Sequence, residues 1–128
     1  MKKLSTQVRR DFAADSPLAT GLAGYARREE QITLAEEIGA AFEQCSMLLA
    51  EAETGTGKTL AYLVPALRSH AKILISTHTK ALQDQLVHRD LPAVQKALGI
   101  GRKVALLKGR SNYLCPQRMK RAITTPQL

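Results

Sequence analysis

The residues best suited to do chemistry are Thr54, Gly55, Thr56, Gly57, Lys58 and Thr59, inside the stretch EAETGTGKTL at positions 51–60. A Gly-Lys-Thr run behind a glycine-rich turn is the composition of a loop that wraps phosphate. Backbone N–H groups and the positive end of the following helix would face the phosphate oxygens. In that reading Gly55 and Gly57 let the backbone close around the β-phosphate, the Lys58 ammonium reaches the β and γ oxygens, and the Thr59 hydroxyl ligates Mg2+. Ala52 stands where the usual pattern has its first glycine, and Glu53 puts a carboxylate in a loop meant for anions. A carboxylate that points to solvent is screened, so the loop is expected to hold phosphate still.

Such a loop has to sit between a strand and a helix. Residues 46–50 (SMLLA) are a short apolar run leading into it, and a helical pattern over Lys58–Arg68 follows. Pro65 inside that pattern has no N–H to donate, which predicts a kink or a thinner hydrogen-bond ladder. Upstream, Ile32, Leu34, Ala35, Ile38, Ala41 and Phe42 fall near one helical stripe, with Glu29, Glu30, Glu36 and Glu37 toward solvent. This predicts a helix of about four turns from Arg28. Residues 72–77 (KILIST) and 103–107 (KVALL) are two further buried-strand candidates. Between them, residues 79–89 read as a helix through Leu82, Leu86 and Val87, Asp90-Leu91-Pro92 as a break, and Val94, Ala97 and Leu98 as a short helical piece ended by Gly99. Three short apolar strands alternating with helices predict an α/β fold of βαβ units around a parallel sheet. Residues 1–24 show no sustained periodicity and read as a loosely ordered lead-in. The last 20 residues begin as a loop, with one basic helical turn near residues 117–123.

At 128 residues the chain is about one domain's worth, and 45% hydrophobic with 23% charged residues is ordinary for a folded domain. The net charge of +8 is unevenly placed. Residues 1–90 carry 11 Lys+Arg and 11 Asp+Glu, whereas residues 91–128 carry 8 basic and no acidic residues. A polyanion such as nucleic acid suits so one-sided a segment, and a solvated surface tail is the other reading. Cys45 and Cys115 lie far apart, with no CxxC or secreted-framework spacing, which points to a reducing cytoplasm. No apolar run reaches signal-peptide or membrane-spanning length, so neither membrane nor export is expected.

The A-x-T-G-x-G-K-T form of the loop resembles motif I of superfamily 2 helicases, and the resemblance extends past the loop. YARREEQ at 25–31 resembles the arginine-and-glutamine motif that precedes it. That implies a nucleotide site of Arg28, Gln31, Thr54, Gly55, Thr56, Gly57, Lys58 and Thr59, with Gln31 reading the adenine edge, since an amide donates and accepts at N6 and N7 together. On its own residue type, Gln31 equally suits the first turn of an amphipathic helix. STHTKALQDQL at 76–86 resembles motif Ia, which implies that Thr77 and Thr79 contact a single-strand backbone; a Thr-rich segment of this kind also suits a simple helix cap. LKGRSNYLC at 107–115 resembles the XPD-like iron–sulfur helicases, in the bacterial branch of DinG and YoaA type. There the matching cysteine, Cys115, is the first of four ligands to a [4Fe–4S] cluster. Lys108 and Arg110 are candidate phosphate contacts or a solvated basic face, and Tyr113 either stacks on a base or packs beneath the cluster domain.

The resemblance covers about residues 25–121 and implies the opening portion of such an enzyme. No cysteine follows Cys115, and no D-E-x-H motif is present in the chain. The implied organisation is a lead-in at 1–24, a partial RecA-like ATP-binding domain at 25–110 and the start of an iron–sulfur domain at 111–128. The implied function of the complete protein is an ATP-dependent DNA helicase of 5′-to-3′ polarity in repair or replication stress. It would act as a monomer on single-stranded or forked DNA with ATP and Mg2+, and these 128 residues alone would not be competent. Two competing readings are a non-catalytic nucleotide- or nucleic-acid-binding module, and a P-loop ATPase of another kind. Cys45 reads as a small core residue, and His70, His78 and His88 as surface or capping groups.

Overall fold

The computed structural model describes residues 3–125. In chain order it contains α1 (Leu4–Asp11), α2 (Pro17–Gly21), α3 (Glu29–Gln44), α4 (Lys58–Arg68), α5 (Lys80–Gln85), α6 (Leu91–Leu98) and α7 (Pro116–Thr124). A π-helical turn, Leu86–Asp90, joins α5 to α6, and a 3-10 turn, Arg110–Asn112, precedes α7.

The helices α3 and α4 lie where their apolar stripes predict. Ile32 and Ala35 of α3 pack with Ala61, Leu63, Val64 and Leu67 of α4 in the core. Pro65 does not interrupt α4, and its ring is buried, so only one ladder bond is missing. The lead-in is more ordered than its sequence suggests. Leu4, Val8 and Phe12 recur every four residues, and Val8 and Phe12 are fully buried where α1 meets α3 and α4. Ser16 caps α2, its Oγ accepting from the Ala19 N–H at 3.3 Å, and Pro17 supplies a preset first turn.

The expected break at Asp90-Leu91-Pro92 is absent. Helix α5, the π turn and α6 follow without a gap, and the Leu91 N–H bonds to the Leu86 carbonyl, five residues back. Widening the turn just before Pro92 lets the chain pass a residue that lacks a donor. The run ends where expected. Gly99 takes a left-handed φ of 65°, its N–H bonds to Lys96 O at 3.3 Å and the Ile100 N–H to Gln95 O at 3.0 Å. Those two bonds close a Schellman cap, with Ile100 packed against the core.

The expected parallel sheet is overturned: among the described residues there is no strand. Segments 46–50, 72–77 and 103–107 are irregular, and no backbone hydrogen bond joins any of them to another. Apolar composition specifies only a segment that tolerates extension. A strand also needs a neighbouring backbone to take its N–H and C=O groups. Met47, Leu49 and Leu74 are accordingly more than nine-tenths exposed. Cys45, expected as a small core residue, lies outside the core. It is exposed, with φ 51°, as the left-handed cap of α3, so it is a chain-reversal residue and not a core one. Among the described residues no helix is long and apolar enough to cross a membrane.

Polar contacts also tie α1 and its following turn to the rest: Arg9 pairs with Glu36 at 2.9 Å and the Leu4 N–H reaches the Glu43 carboxylate, and two further contacts are better buried. Asp11 accepts from Arg68 Nε at 2.8 Å and Nη2 at 2.6 Å, pinning α1 to the last turn of α4. The Tyr25 hydroxyl donates to the Phe12 carbonyl at 3.0 Å, and burial raises its pKa above the ordinary 10.0, against a smaller opposing effect of Arg27. Replacing Asp11 by Ala leaves the Arg68 guanidinium partly buried and unpaired. Urea unfolding is expected to show a loss of about 3 kcal/mol, the low end for breaking a buried pair; a loss under about 0.5 kcal/mol would class it with ordinary surface pairs. Because the folded state holds the Tyr25 proton more tightly, its contribution is complete below pH 10 and declines as pH rises through the raised pKa. Tyr25→Phe should remove that alkaline decline in a pH series of melting temperatures.

Candidate nucleotide-binding site

The loop between residue 51 and α4 is shaped by what holds its carbonyl oxygens. Lys58 Nζ donates to Ala52 O at 2.5 Å and to Glu53 O at 3.2 Å. The Thr56 hydroxyl donates to Glu53 O at 2.9 Å. Arg28 donates to Gly55 O, and Gln31 Nε2 donates to Gly57 O at 2.8 Å. Four carbonyls of the loop are thereby turned toward cations and amides. No backbone N–H of residues 54–57 donates to another described residue. At Lys58 and Thr59 the N–H groups belong to the first turn of α4, which has no partners within the helix. Carbonyls tied back and amides without a bond to another described residue leave donors available beside the positive end of a helix.

Gly57 makes this geometry possible. It caps α4 at φ 79°, a left-handed conformation unfavourable for a side chain, and a Cβ there would run into the Gln31 amide. Gly55 is also left-handed, at φ 86°. The Glu53 side chain is exposed, as its place in the loop requires. Lys58 and Thr59 line a cavity of about 450 Å3 with Ala52, Tyr62, Thr77 and Asp90. Thr54 and Thr56 complete the turn between Glu53 and Gly57.

Gln31 is 3% exposed and its Oε1 is a buried acceptor with no partner among the described residues. An unpaired buried acceptor costs about 1–3 kcal/mol. The side chain that the sequence offers for the adenine edge is therefore anchored at its nitrogen to the loop, with its oxygen unsatisfied. Arg28, from the same motif, is exposed and likewise engages the loop backbone. Their grip on the loop is not legible in the sequence, because the 26 and 27 residues that separate the partners carry no pairing signal.

The remaining candidates fall in a second region. Thr79 caps α5, its Oγ1 accepting from the Leu82 N–H at 3.2 Å, and Thr77 Oγ1 donates to Thr79 O at 3.4 Å. Lys108 is ion-paired with Asp84 at 2.8 Å, whereas Arg110 opens the exposed 3-10 turn. The Tyr113 hydroxyl accepts from the Lys108 N–H at 2.9 Å. Cys115 is exposed at the start of α7.

The donor set fits a nucleotide and does not by itself fit a cluster. Free N–H groups with Lys58 suit phosphate and Thr59 suits Mg2+, whereas Gln31 Oε1 is an acceptor of the right type for an exocyclic amine but is enclosed here. A [4Fe–4S] cluster takes four thiolates, and the chain has two cysteines, one capping α3 and one opening α7. Among the described residues no group of three or more His, Cys, Asp or Glu comes together to hold a metal.

Comparison with known proteins agrees with the loop. The DEAD/DEAH box helicase pattern matches residues 31–127. The chain is 56% identical over 110 residues to the ATP-dependent DNA helicase YoaA of Escherichia coli K12, covering 86% of this chain and 17% of that protein. It is 45% identical over 115 residues to the ATP-dependent helicase DinG of Mycobacterium tuberculosis H37Rv, covering 84% and 17%. It is 37% identical over 105 residues to the 3′-5′ exonuclease DinG of Bacillus subtilis 168, covering 79% and 11%. The chain thus spans less than a fifth of the length of these relatives. No solved structure matches it. With a family pattern that runs from Gln31 almost to the last residue and takes in the whole loop, the chain belongs to the DEAD/DEAH box helicases.

Proposed function

We propose that this chain is the ATP-binding part of an ATP-dependent DNA helicase, with the nucleotide held by residues 54–59. The observation that carries the reading is the loop whose carbonyls are tied back by Arg28, Gln31, Thr56 and Lys58 while its N–H groups stay unengaged. Bound ATP supplies the phosphoanhydride whose hydrolysis drives strand movement. Lys58 would exchange the carbonyls of Ala52 and Glu53 for phosphate oxygens, which bind an ammonium more strongly. Thr59 would orient Mg2+, and Gln31 Oε1, which is enclosed in this structure, would accept from the adenine amine once movement of the loop uncovers it.

The DNA side of the reading places Thr77, Thr79 and Arg110 on the strand backbone, with Lys108, which is ion-paired to Asp84, joining them only where that pair is opened. The Thr79 oxygen accepts within the helix cap, which leaves its hydroxyl hydrogen to donate to phosphate. Residues 25–110 would form the ATP-binding part and 111–128 the start of an iron–sulfur domain. Cys115 would contribute one of four thiolates there and take no part in the nucleotide chemistry. Both cysteines are free, which suits a reducing cytoplasm. Polarity from 5′ to 3′, a forked or single-stranded substrate and a monomeric state extend the same reading. A second reading, nucleic-acid binding without turnover, is favoured by α7, where Arg118, Lys120 and Arg121 are exposed and no acidic residue is present.

Isothermal calorimetry of ATP against Lys58→Ala tests the loop. Loss of a charge-assisted contact of about 1.5–3 kcal/mol predicts affinity weakened about 10- to 100-fold; unchanged affinity would sink the assignment. Competition between ATP and GTP tests the base contact. The wild type should prefer ATP, because adenine offers a donor to Gln31 Oε1 where guanine offers O6, an acceptor. Gln31→Ala should abolish that preference, and a preference retained in the variant would remove Gln31 from base recognition.

A further inference from the structure

The face of α5 that carries Lys80, Gln83 and Asp84 follows the i, i+3, i+4 spacing of one helical side. Each of the three reaches the same short stretch of chain, some 24 to 32 residues further on. Lys80 Nζ donates to Asn112 Oδ1 at 2.9 Å. Gln83 Nε2 donates to Leu107 O at 2.8 Å. Asp84 Oδ1 pairs with Lys108 Nζ at 2.8 Å. The stretch is also folded on itself. Asn112 donates to Gly109 O through its N–H at 2.9 Å and through Nδ2 at 3.1 Å, and the Lys108 N–H donates to the Tyr113 hydroxyl.

Apolar packing does not account for this placement. Leu107 and Leu114 are 82% and 76% exposed, and no residue of the 3-10 turn or of α7 is buried. Three side chains of α5 therefore set where residues 107–113 lie. They also sort the cations of this region into two kinds. Lys108 is three-quarters covered and matched by Asp84, whereas Arg110, Arg118, Lys120 and Arg121 are exposed and make no ion pair with a described residue.

We infer that Lys80, Gln83 and Asp84 are positioning residues that clasp residues 107–113 to α5. The clasp commits Lys108 to Asp84 and leaves Arg110, with the cations of α7, to meet the phosphates of a single-stranded nucleic acid. Because Thr77 and Thr79 open α5, the clasp joins both candidate contacts into one surface of fixed spacing. The phosphate half of this inference rests on the nucleic-acid reading above, while the clasp itself does not.

The clasp has a pH signature. The hydrogen bond from Lys108 holds the Asp84 carboxyl below the ordinary 3.8, opposed by desolvation and reinforced by the charges of Lys108, His88 and Lys80. With a depressed pKa, its stabilisation is complete above 3.8 and is lost as pH falls through the lowered value.

The test uses the full 128-residue chain and fluorescence anisotropy of a labelled oligo(dT) across a salt series. Each phosphate contact on a single strand contributes about 0.7 to the slope of log affinity against log salt. Arg110→Met should flatten the slope by about 0.7, and Lys108→Met should leave it unchanged. Asp84→Ala should steepen it by releasing Lys108, and adding Lys108→Met to Asp84→Ala should restore the wild-type slope. Equal flattening by Lys108→Met and Arg110→Met would overturn the inference, as would a steepening by Asp84→Ala that survives loss of Lys108. If the wild type fails to bind oligo(dT), the nucleic-acid reading and the phosphate half fall together, and carbon-13 NMR titration of Asp84 decides the clasp separately. A carboxyl that titrates below 3.8 in the wild type and returns toward it in Lys108→Met upholds the clasp. An ordinary titration in the wild type overturns it.

Discussion

A loop that is to hold an anion must turn its carbonyl oxygens away from it, and in this chain side chains impose that orientation. Arg28 and Gln31 reach the loop from the start of α3, and Lys58 and Thr56 reach back from within it. Gln31 is the most constrained of them. It is buried beside Ile32, so its amide has little freedom to choose another partner. The packing of α3 against α4 is then also what fixes the loop: moving either helix would carry the Gln31 donor away from Gly57 O. Core and site are coupled through one amide, and an unpaired acceptor remains at its other end.

That coupling explains why the front of the chain matters to a site it never touches. Helix α1 packs on both α3 and α4 through Val8 and Phe12, and Asp11 grips Arg68 at the far end of α4. The helix that carries Lys58 and Thr59 at its N-terminus is held by an ion pair at its C-terminus. Such a pair contributes little by its charges alone, but it defines one register between two helices. A helix N-terminus is useful to phosphate only if it cannot drift.

Polar contacts take over where the core ends. Beyond α6 the side chains of residues 103–125 are exposed or half-buried, and position is set by Arg102 on the carbonyls of Leu67 and Ser69, and by the α5 contacts to residues 107–112. The charge asymmetry of the sequence acquires a structure there. Asp84 lies in the neutral part of the chain and neutralises one lysine of the basic part, so the excess positive charge is concentrated farther along, around Arg110 and α7.

Two kinds of information met in this protein. Local rules were readable residue by residue: the stripe of Ile32 and Ala35 set α3, Lys58–Arg68 appeared as a helix with its glycine-rich entry, and Gly99 ended α6 because only a left-handed residue closes that cap. The spacing of Leu4, Val8 and Phe12 was equally present but too short, at two turns, to stand out among charged neighbours. Composition likewise singled out Gly55, Gly57, Lys58 and Thr59 as candidates, because a phosphate-binding loop depends on residue types that follow one another along the chain. What sequence could not decide was pairing. Whether residues 46–50, 72–77 and 103–107 form a sheet depends on a backbone coming into hydrogen-bonding register beside them, and among the described residues no backbone bond joins one of these segments to another. Whether Lys108 is available to a phosphate depends on Asp84, 24 residues earlier, and whether Gln31 is free depends on Gly57. The sequence by itself determined α3, α4, the end of α6 and the residue types of the loop, since these follow from neighbours along the chain. The tertiary structure alone decided which polar groups were already satisfied, since hydrogen bonds are made to whatever folding brings near.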